Sequence, residues 1–166
     1  MSDLLYALLL YPIIFILPAW IANGTPVLFG GGVPLDLGKK LAGKPIFGKH
    51  KTLRGTASGI AGGAIIAVLE YVFFAQPLAL GVAVAIGAIA GDLVGSFAKR
   101  RLSLKEGANV WILDQYSFFV VALLFSLPFG GLPSPLGIIV LIVLTGVLHK
   151  GMNVLAHRAK IKRVPW

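Results

Sequence analysis

The chain contains no cysteine, few acidic residues and little charge for its length. Its 166 residues include 15 lysines and arginines but only 6 aspartates and glutamates, and 57% of them are hydrophobic. The absence of cysteine excludes disulfide frameworks, catalytic thiolates and cysteine-ligated zinc. The shortage of polar residues excludes an ordinary water-soluble domain. It also argues against a nucleic-acid partner, because a protein that binds nucleic acid spreads its cations over a polar surface.

Long uncharged runs predict one all-α domain, residues 1–166, with five transmembrane helices. About 20 apolar residues are needed to cross roughly 30 Å of hydrocarbon. Two longer apolar stretches must each be divided, because Gln76-Pro77 and the segment 128–135, which is rich in proline and glycine, do not continue a helix. The predicted spans cover about residues 4–22, 56–75, 78–98, 110–128 and 135–149.

The positive charges predict the orientation of these spans. Five spans place the first loop (23–55), the second loop (99–109) and the C-terminal tail on one side, and these segments contain every lysine and arginine of the chain. The positive-inside rule makes this side cytoplasmic and places the N-terminus outside. We therefore expect a multi-pass protein of the cell membrane whose active face is cytoplasmic.

Glycines at helical spacing predict close helix packing. Gly59 and Gly63 lie four residues apart in the second span, and Gly87, Gly91 and Gly95 recur every four residues in the third. Small residues at this spacing let two helix backbones approach closely. The pattern supports a compact bundle and carries no function by itself.

The end of the third span carries polar residues on one helical face. Asp92, Ser96 and Lys99 fall at i, i+4 and i+7, so they lie along one side of the helix as it leaves the membrane. An ionisable residue within a span is costly and usually faces a partner or a cavity. The residues therefore form either a structural Asp92–Lys99 pair or part of a functional site.

Asp114 lies near the start of the fourth span, at a depth similar to that of Asp92. Two carboxylates beside basic loops suit Mg²⁺, which is often held by one or two protein carboxylates while substrate phosphates complete its shell. Alternatively, Asp114 is a negative charge that the helix dipole favours near a helix N-terminus.

The first loop is rich in glycine and in cations. It contains Gly30-Gly31-Gly32 and the segment 48–55, which holds Lys49, Thr52 and Arg54. Glycines let backbone amides approach phosphate, so the loop fits an anion-binding cradle. A basic segment attracted to anionic lipid headgroups is the alternative.

Two strings of residues resemble the CTP-dependent phosphatidate cytidylyltransferases, integral membrane enzymes that make CDP-activated lipids. The first string is followed by Asp114 and reads Asp92-Leu93-x-x-Ser96-x-x-Lys99-Arg100-x-x-x-x-Lys105-Glu106. The second is similar to the compact archaeal branch, the CDP-archaeol synthases, and consists of Asn23-Gly24-x-Pro26 and Gly48-x-x-Lys51-Thr52-x-Arg54-Gly55. Glu106 and Ser117 stand where the larger enzymes have aspartate, and the larger enzymes' His-Gly-Gly element is missing, which favours the archaeal branch.

The resemblance implies transfer of CMP from CTP to an isoprenoid ether-lipid phosphate, giving CDP-archaeol and pyrophosphate. It implies that Asp92, Asp114 and Lys99 are catalytic, that Asp92 and Asp114 hold one or two Mg²⁺ ions, and that the lipid phosphate enters from the inner leaflet. The other substrate-binding residues that we predict are Ser96, the phosphate contacts Lys49, Arg54 and Arg100, the nucleotide contacts Asn23 and Thr52, and Asp36 for the base or ribose.

Two other functions use the same residues. A small membrane transporter would line a path with Asp92 and Glu70, and a lipid phosphotransferase or phosphatase would use the same carboxylates. A transporter predicts acids distributed across the depth of the bilayer, whereas Asp92, Asp114 and the cations gather at one boundary.

Overall fold

The structure, a computed structural model, describes residues 2–105, 108 and 110–161. Five apolar helices long enough to cross a membrane make up most of the described chain: α1 (Asp3–Phe29), α2 (Leu53–Phe74), α3 (Leu78–Arg101), α4 (Trp111–Phe129) and α5 (Pro135–Arg158). The prediction of an all-α protein with five spans is confirmed. Glu106, Lys162 and Arg163, which the sequence analysis used, lie outside the described residues.

The first helix is longer than predicted, because residues 23–29 are helical and not part of the first loop. Pro26 lies inside the helix, although proline lacks the N–H that a helix interior uses. Its ring packs against α2, since a Cβ added at Gly59 would lie 3.2 Å from Pro26 Cγ. The Thr25 hydroxyl also donates to the Ile21 carbonyl at 2.6 Å. Packing against α2 therefore offsets the missing backbone bond.

Three other predicted boundaries also shift outward. The second helix begins at Leu53, the third continues to Arg101 and the fifth continues to Arg158. The turns added to the third and fifth helices carry cations at helix C-termini, where the negative end of the helix dipole favours them. The second loop is therefore shorter than residues 99–109, and part of the predicted tail is helical.

The hydrophobic core forms where α1, α3, α4 and α5 meet. Its largest members are fully buried and come from all four helices: Phe15, Ile16, Val84, Phe118, Phe119 and Leu141. The Trp20 indole N–H donates to the Thr145 hydroxyl at 3.1 Å, and this bond ties α1 to α5.

The glycine pattern has the predicted effect on packing. A Cβ at Gly59 would lie 2.7 Å from the Ala22 carbonyl oxygen, and one at Gly63 would lie 2.9 Å from that of Pro18, so α2 touches the α1 backbone. On α3, a Cβ at Gly91 would lie 2.6 Å from Phe118 Cα, so α3 and α4 meet in the same way.

The connections separate into two ends of the bundle. At one end the Tyr11 hydroxyl donates to the Gly131 carbonyl, which joins the start of α1 to the α4–α5 connection. Glu70, which is only 3% exposed, lies at this end beside Gly81. At the opposite end the loop 30–52 touches the end of α3. We call this opposite end the loop end.

A short hairpin that the sequence analysis did not predict lies in loop 30–52. Strands β1 (Lys40–Leu41) and β2 (Lys44–Pro45) pair antiparallel. Ala42 and Gly43 between them both have positive φ, at 49° and 76°. Two positive φ angles characterise the tight turn that fits the twist of a two-residue hairpin.

Replacement of Gly91 by alanine should destabilise the bundle. The new methyl group would collide with the α4 backbone, and overpacking of this kind costs about 1–3 kcal/mol. Gly151→Ala is the matched control, because a Cβ there meets no described atom within 4 Å apart from its chain neighbours and the nearby backbone of its own helix. We expect a lower thermal unfolding midpoint in detergent for Gly91→Ala and an unchanged or higher one for Gly151→Ala. Equal midpoints would contradict the close α3–α4 contact.

Candidate active site

The acid of the third helix faces the first loop. The Asp92 carboxylate accepts a hydrogen bond from the Lys51 ammonium at 2.5 Å, and the two side chains are 34% and 27% exposed. Lys51 directly precedes Thr52, which caps α2, so the pair joins α3 to the start of α2. The Asp92–Lys99 pair that the spacing allowed does not form, because each residue has another partner.

Asp114 forms a second ion pair, with Lys99. Its other carboxylate oxygen accepts from the Val110 N–H at 2.9 Å, directly before α4 begins. The helix N-terminal position considered for Asp114 is therefore present, together with a contact to α3. Each of the two acids is paired with one lysine.

Two neighbouring clefts open at the loop end. The first, the aspartate cavity, has a volume of about 390 Å³ and lies between loop 30–52 and the helices α1, α2 and α3. Its lining combines glycines of the first loop, the first turn of α2 and apolar residues of the helices: Pro26, Gly30, Gly31, His50, Lys51, Thr52, Gly55, Thr56, Ile89, Asp92 and Leu93. An acid, a cation and a helix N-terminus therefore share one space.

The second cleft, the lysine cavity, has a volume of about 520 Å³. It is lined mainly by cations and by the loop before α2: Phe47, Gly48, His50, Lys51, Ser96, Lys99 and Arg100. Lys51, Lys99 and Arg100 place positive charge on this cavity, which suits an anionic ligand. His50 and Lys51 line both cavities, so the two spaces are adjacent.

The N-terminus of α2 opens onto the aspartate cavity. The Thr52 hydroxyl accepts from the Gly55 N–H at 3.0 Å and so caps the helix. The helix dipole places partial positive charge at this end, and helix N-termini bind phosphate readily. Thr52 thus lines the cavity and also begins the helix, and its contact with the nucleotide stays a prediction.

Ser96 and Arg100 line the lysine cavity, and both also have partners within the protein. The Ser96 hydroxyl donates to the Asp92 carbonyl at 2.9 Å. Arg100 is 8% exposed, and its guanidinium donates to the Lys105 carbonyl at 3.3 Å. The structure therefore brings Asp92, Ser96, Lys99 and Arg100 to one site along the end of α3.

Asp36 organises the first loop. Its carboxylate accepts from the backbone N–H groups of Gly38 and Phe47, both at 3.0 Å, and of Gly48 at 3.2 Å. The residue is 7% exposed and lies outside the lining of both cavities. The Phe47 amide is the main cause of a pKa below the ordinary value of this carboxyl, and the other amides act in the same direction. Contact with the base or ribose stays a prediction.

Three other predicted contact residues lie outside the lining of the two cavities. Asn23 lies within α1 and is half-buried, Arg54 is exposed in the first turn of α2, and Lys49 is exposed on the loop. All three lie at the loop end, so their roles also stay predictions.

The sequence analysis missed the roles of Lys51 and His50, which line both cavities. Lys51 lies within the string Gly48-x-x-Lys51-Thr52. Its position directly before a threonine that can cap a helix is the sequence feature that could have indicated a place in the site. His50 has no second histidine or acid at a metal-binding spacing in the sequence, so no such pattern pointed to it.

The donor set at this site does not form a closed metal cage. Among the described residues, no group of three histidine, aspartate or glutamate side chains is placed to hold an ion. Asp92 and Asp114 are the available carboxylates. They fit a divalent cation that takes most of its ligands from substrate phosphate and water, as Mg²⁺ commonly does.

Comparison with known proteins shows the family of the chain. Residues 5–166 match the CarS-like family model, described as CDP-archaeol synthase. The chain belongs to the CDP-archaeol synthase family. It is 42% identical over 159 residues to the CDP-archaeol synthase of Pyrococcus furiosus, with 92% of this chain and 95% of the relative covered. It is 45% identical over 156 residues to that of Methanopyrus kandleri, with 92% and 90% covered.

A solved structure shares the fold of this CDP-archaeol synthase family member. It is described as an intramembrane enzyme for archaeal membrane lipids biosynthesis. The TM-score is 0.78 at 38% sequence identity, and the match covers 86% of this chain and 92% of the solved one. The prediction of a multi-pass membrane enzyme of this family is confirmed.

Removal of the Asp36 carboxylate charge should loosen the first loop. Asp36→Asn presents an amide where three backbone N–H groups need acceptors, so local opening should increase and trypsin should cleave the loop about tenfold faster at neutral pH. Glu70→Gln, at the other end of the bundle, is the control. Equal cleavage of the wild type and Asp36→Asn would contradict the role of Asp36.

The wild-type loop should also loosen in acid. Because the pKa of Asp36 is lowered in the folded chain, its stabilisation is fully present above the ordinary carboxyl pKa of about 3.9 and is lost as the pH falls through the lower folded value. Pepsin cleavage should therefore rise as the pH falls below about 4. Over the same range of pH, pepsin cleavage of the Asp36→Asn variant should rise less than that of the wild type.

Proposed function

We propose that this chain transfers CMP from CTP to an isoprenoid ether-lipid phosphate and so makes CDP-archaeol. An oxygen of the lipid phosphate attacks the α-phosphorus of CTP, the bond from that phosphorus to the oxygen bridging the β-phosphate breaks, and pyrophosphate leaves. Membership of the family supports this reaction. The observation in this structure that carries it is the pair of adjacent cavities at one end of the bundle, lined by the Asp92–Lys51 pair, Arg100 and Lys99, the last of which is paired with Asp114 outside the lining.

The nucleophile needs no strong general base. A phosphate monoester has a second pKa near 6, so the lipid phosphate is already largely a dianion at neutral pH. Catalysis can then depend on positioning and on neutralisation of charge. A site rich in lysine and arginine, in a chain without cysteine, fits this chemistry.

The two cavities suggest where each phosphate binds. The lysine cavity, lined by Lys51, Lys99 and Arg100, suits the triphosphate. The aspartate cavity includes Ile89 and Leu93 of α3, so a phosphate there would have apolar helix surface beside it for the start of a lipid chain. Lys51 lines both cavities and lies where the two phosphates would face each other.

Asp92 and Asp114 would hold one or two Mg²⁺ ions together with the nucleotide phosphates. When bound, Mg²⁺ neutralises the triphosphate and stabilises the departing pyrophosphate. Asp92 fits this role because it lines a cavity directly. Asp114 fits because its partner Lys99 lines the adjacent one.

The lysines would move from protein carboxylates to substrate phosphates. In this structure Lys51 pairs with Asp92 and Lys99 with Asp114. A triphosphate in the lysine cavity offers both ammonium groups more negative charge than one carboxylate does. Transfer of the two ammonium groups to the triphosphate would leave the carboxylates of Asp92 and Asp114 available to hold Mg²⁺. Lys99 would then stabilise charge on the reacting phosphates, which is its predicted catalytic role.

The remaining predicted contacts complete the proposal. Ser96, Thr52 and Arg100 line the cavities and would contact the substrates directly. Lys49 and Arg54 would contact phosphate from the rim, and Asn23 would provide a polar contact near the end of α1. The loop end would face the cytoplasm, and the lipid phosphate would enter from the inner leaflet with its chains still in the bilayer.

A product assay tests the function. Purified protein with radiolabelled CTP, Mg²⁺ and an archaeal ether-lipid phosphate should give a labelled CDP-lipid and pyrophosphate in equal amounts. Phosphatidic acid in place of the ether lipid should give less product. Failure with both acceptors would refute the cytidylyltransferase function, and equal turnover of both would refute the ether-lipid assignment.

Asp92→Asn and Asp114→Asn should each lower kcat/KM on the order of 100-fold, since each removes one charge that stabilises bound metal and transition state. Asp3→Asn, at the far end of the bundle, removes the same charge and should leave the rate unchanged. Binding of Mn²⁺ in the presence of CTP, followed by electron paramagnetic resonance, should weaken in the two site variants. Normal Mn²⁺ binding in either variant would refute the metal role of that aspartate.

A further inference from the structure

Arg101, the last residue of α3, joins that helix to the hairpin of the first loop. Its guanidinium donates to the backbone carbonyl oxygens of Leu41 at 2.5 Å, Pro45 at 2.5 Å and Lys44 at 3.2 Å. It also lies over the Phe97 ring, 5.1 Å from the ring centroid. One guanidinium at the end of α3 therefore binds three backbone carbonyls of the same loop.

Lys44 binds in the opposite direction. Its ammonium donates to the carbonyl oxygen of Arg101 at 2.9 Å and to the Ser103 hydroxyl at 2.5 Å. The hairpin and the end of α3 therefore hold each other through two reciprocal cations. We call the contacts of Arg101 and Lys44 the Arg101 clamp.

The hairpin that the Arg101 clamp holds is followed closely in the chain by residues that line the lysine cavity. Strand β2 ends at Pro45, and Phe47 and Gly48 begin the cavity lining. The amides of Phe47 and Gly48 are held in turn by Asp36. The clamp therefore sets the position of the loop as a whole, and Asp36 sets the shape of the segment that enters the site.

The first loop has a second attachment to α3, the Lys51–Asp92 pair, but that pair lies inside the site. Under the proposed function, Lys51 leaves Asp92 when phosphate binds. Arg101 and Lys44 do not line either cavity, so their contacts can persist while Lys51 changes partner. A loop that released Lys51 without another attachment would lose its order, and ordering it again around the substrate would cost conformational entropy.

We propose that Arg101 is a positioning residue for the transfer reaction, which holds loop residues 47–52 against α3 so that Lys51 and His50 meet the substrate phosphates in one geometry. This proposal rests on the proposed function. The guanidinium is a planar fork with five N–H donors, whereas a lysine is a single flexible cation, so lysine cannot replace arginine at three carbonyls. Holding binding groups in place before the ligand arrives improves affinity.

Kinetics provide the first test. Arg101→Gln should raise KM for CTP about tenfold and change kcat less than about threefold, because substrate binding must now order the loop. Arg101→Lys should restore little of this loss, and Lys44→Gln should act in the same direction with a smaller effect. Arg158→Gln, which removes an exposed cation at the end of α5, is the matched control and should leave both constants unchanged.

Distances measured without substrate provide the second test. Because the natural chain has no cysteine, Lys40→Cys and Ala159→Cys can carry the only spin labels, one on the hairpin and one beyond α5. The distance distribution should be narrow with Arg101 present and should broaden in Arg101→Gln and Arg101→Lys. It should stay narrow in Arg158→Gln.

Three outcomes would each contradict either the positioning role of Arg101 or the proposed function. An unchanged KM with an unchanged distance distribution would overturn the positioning role. A fall in kcat alone, with unchanged distances, would also overturn it, because Arg101 would then act on the reacting groups directly. A wild-type chain that makes no CDP-lipid, while Arg101→Gln still broadens the distances, would refute the proposed function and leave the clamp as a structural device.

Discussion

Apolar helices in a bilayer gain little by packing leucine against leucine, because lipid chains are equally apolar. Close backbone approach is what remains, and in this protein it comes from glycine. Gly91 lets α3 meet the backbone of α4, and Gly59 lets α2 meet that of α1. The site depends on these approaches, since Asp92 on α3 and Asp114 on α4 belong to one pair of helices and Thr52 begins the helix that packs on α1. A side chain at such a contact would separate the elements that hold the acids.

The charges at the loop end would suit a ligand with more negative charge than the protein supplies there. Each acid has one lysine partner, and Arg100 adds a further cation at the lysine cavity. The pairs keep the ligand-free site balanced at the two acids. A triphosphate changes that balance, and the proposed movement of Lys51 and Lys99 follows from it. The same lysines would then both protect the carboxylates without ligand and bind the substrate when it arrives.

The sequence allowed prediction of whatever depends on composition and helical spacing. The five spans, the glycine contacts and the common face of Asp92, Ser96 and Lys99 follow from uncharged runs and from the 3.6-residue repeat. The partners of each charge did not follow, because contacts such as Lys51 with Asp92 join residues far apart in the chain. Pro26 was misplaced for a similar reason, since its compensation comes from packing on α2. The backbone partners of Asp36 and Arg101 did not follow from the sequence either, because they depend on the fold of the loop.

Two adjacent cavities suit a reaction between two phosphates better than one large cavity would. Two polyanions repel each other, and reacting atoms must nevertheless come within about 3–3.5 Å. A cation placed between them reduces this repulsion where it is greatest. Lys51 lines both cavities and would hold that place under the proposed function, and it is carried on a loop. Under the proposed function, the precision of the site would depend on what fixes the loop outside the cavities, where the Asp36 amide contacts and the Arg101 clamp lie.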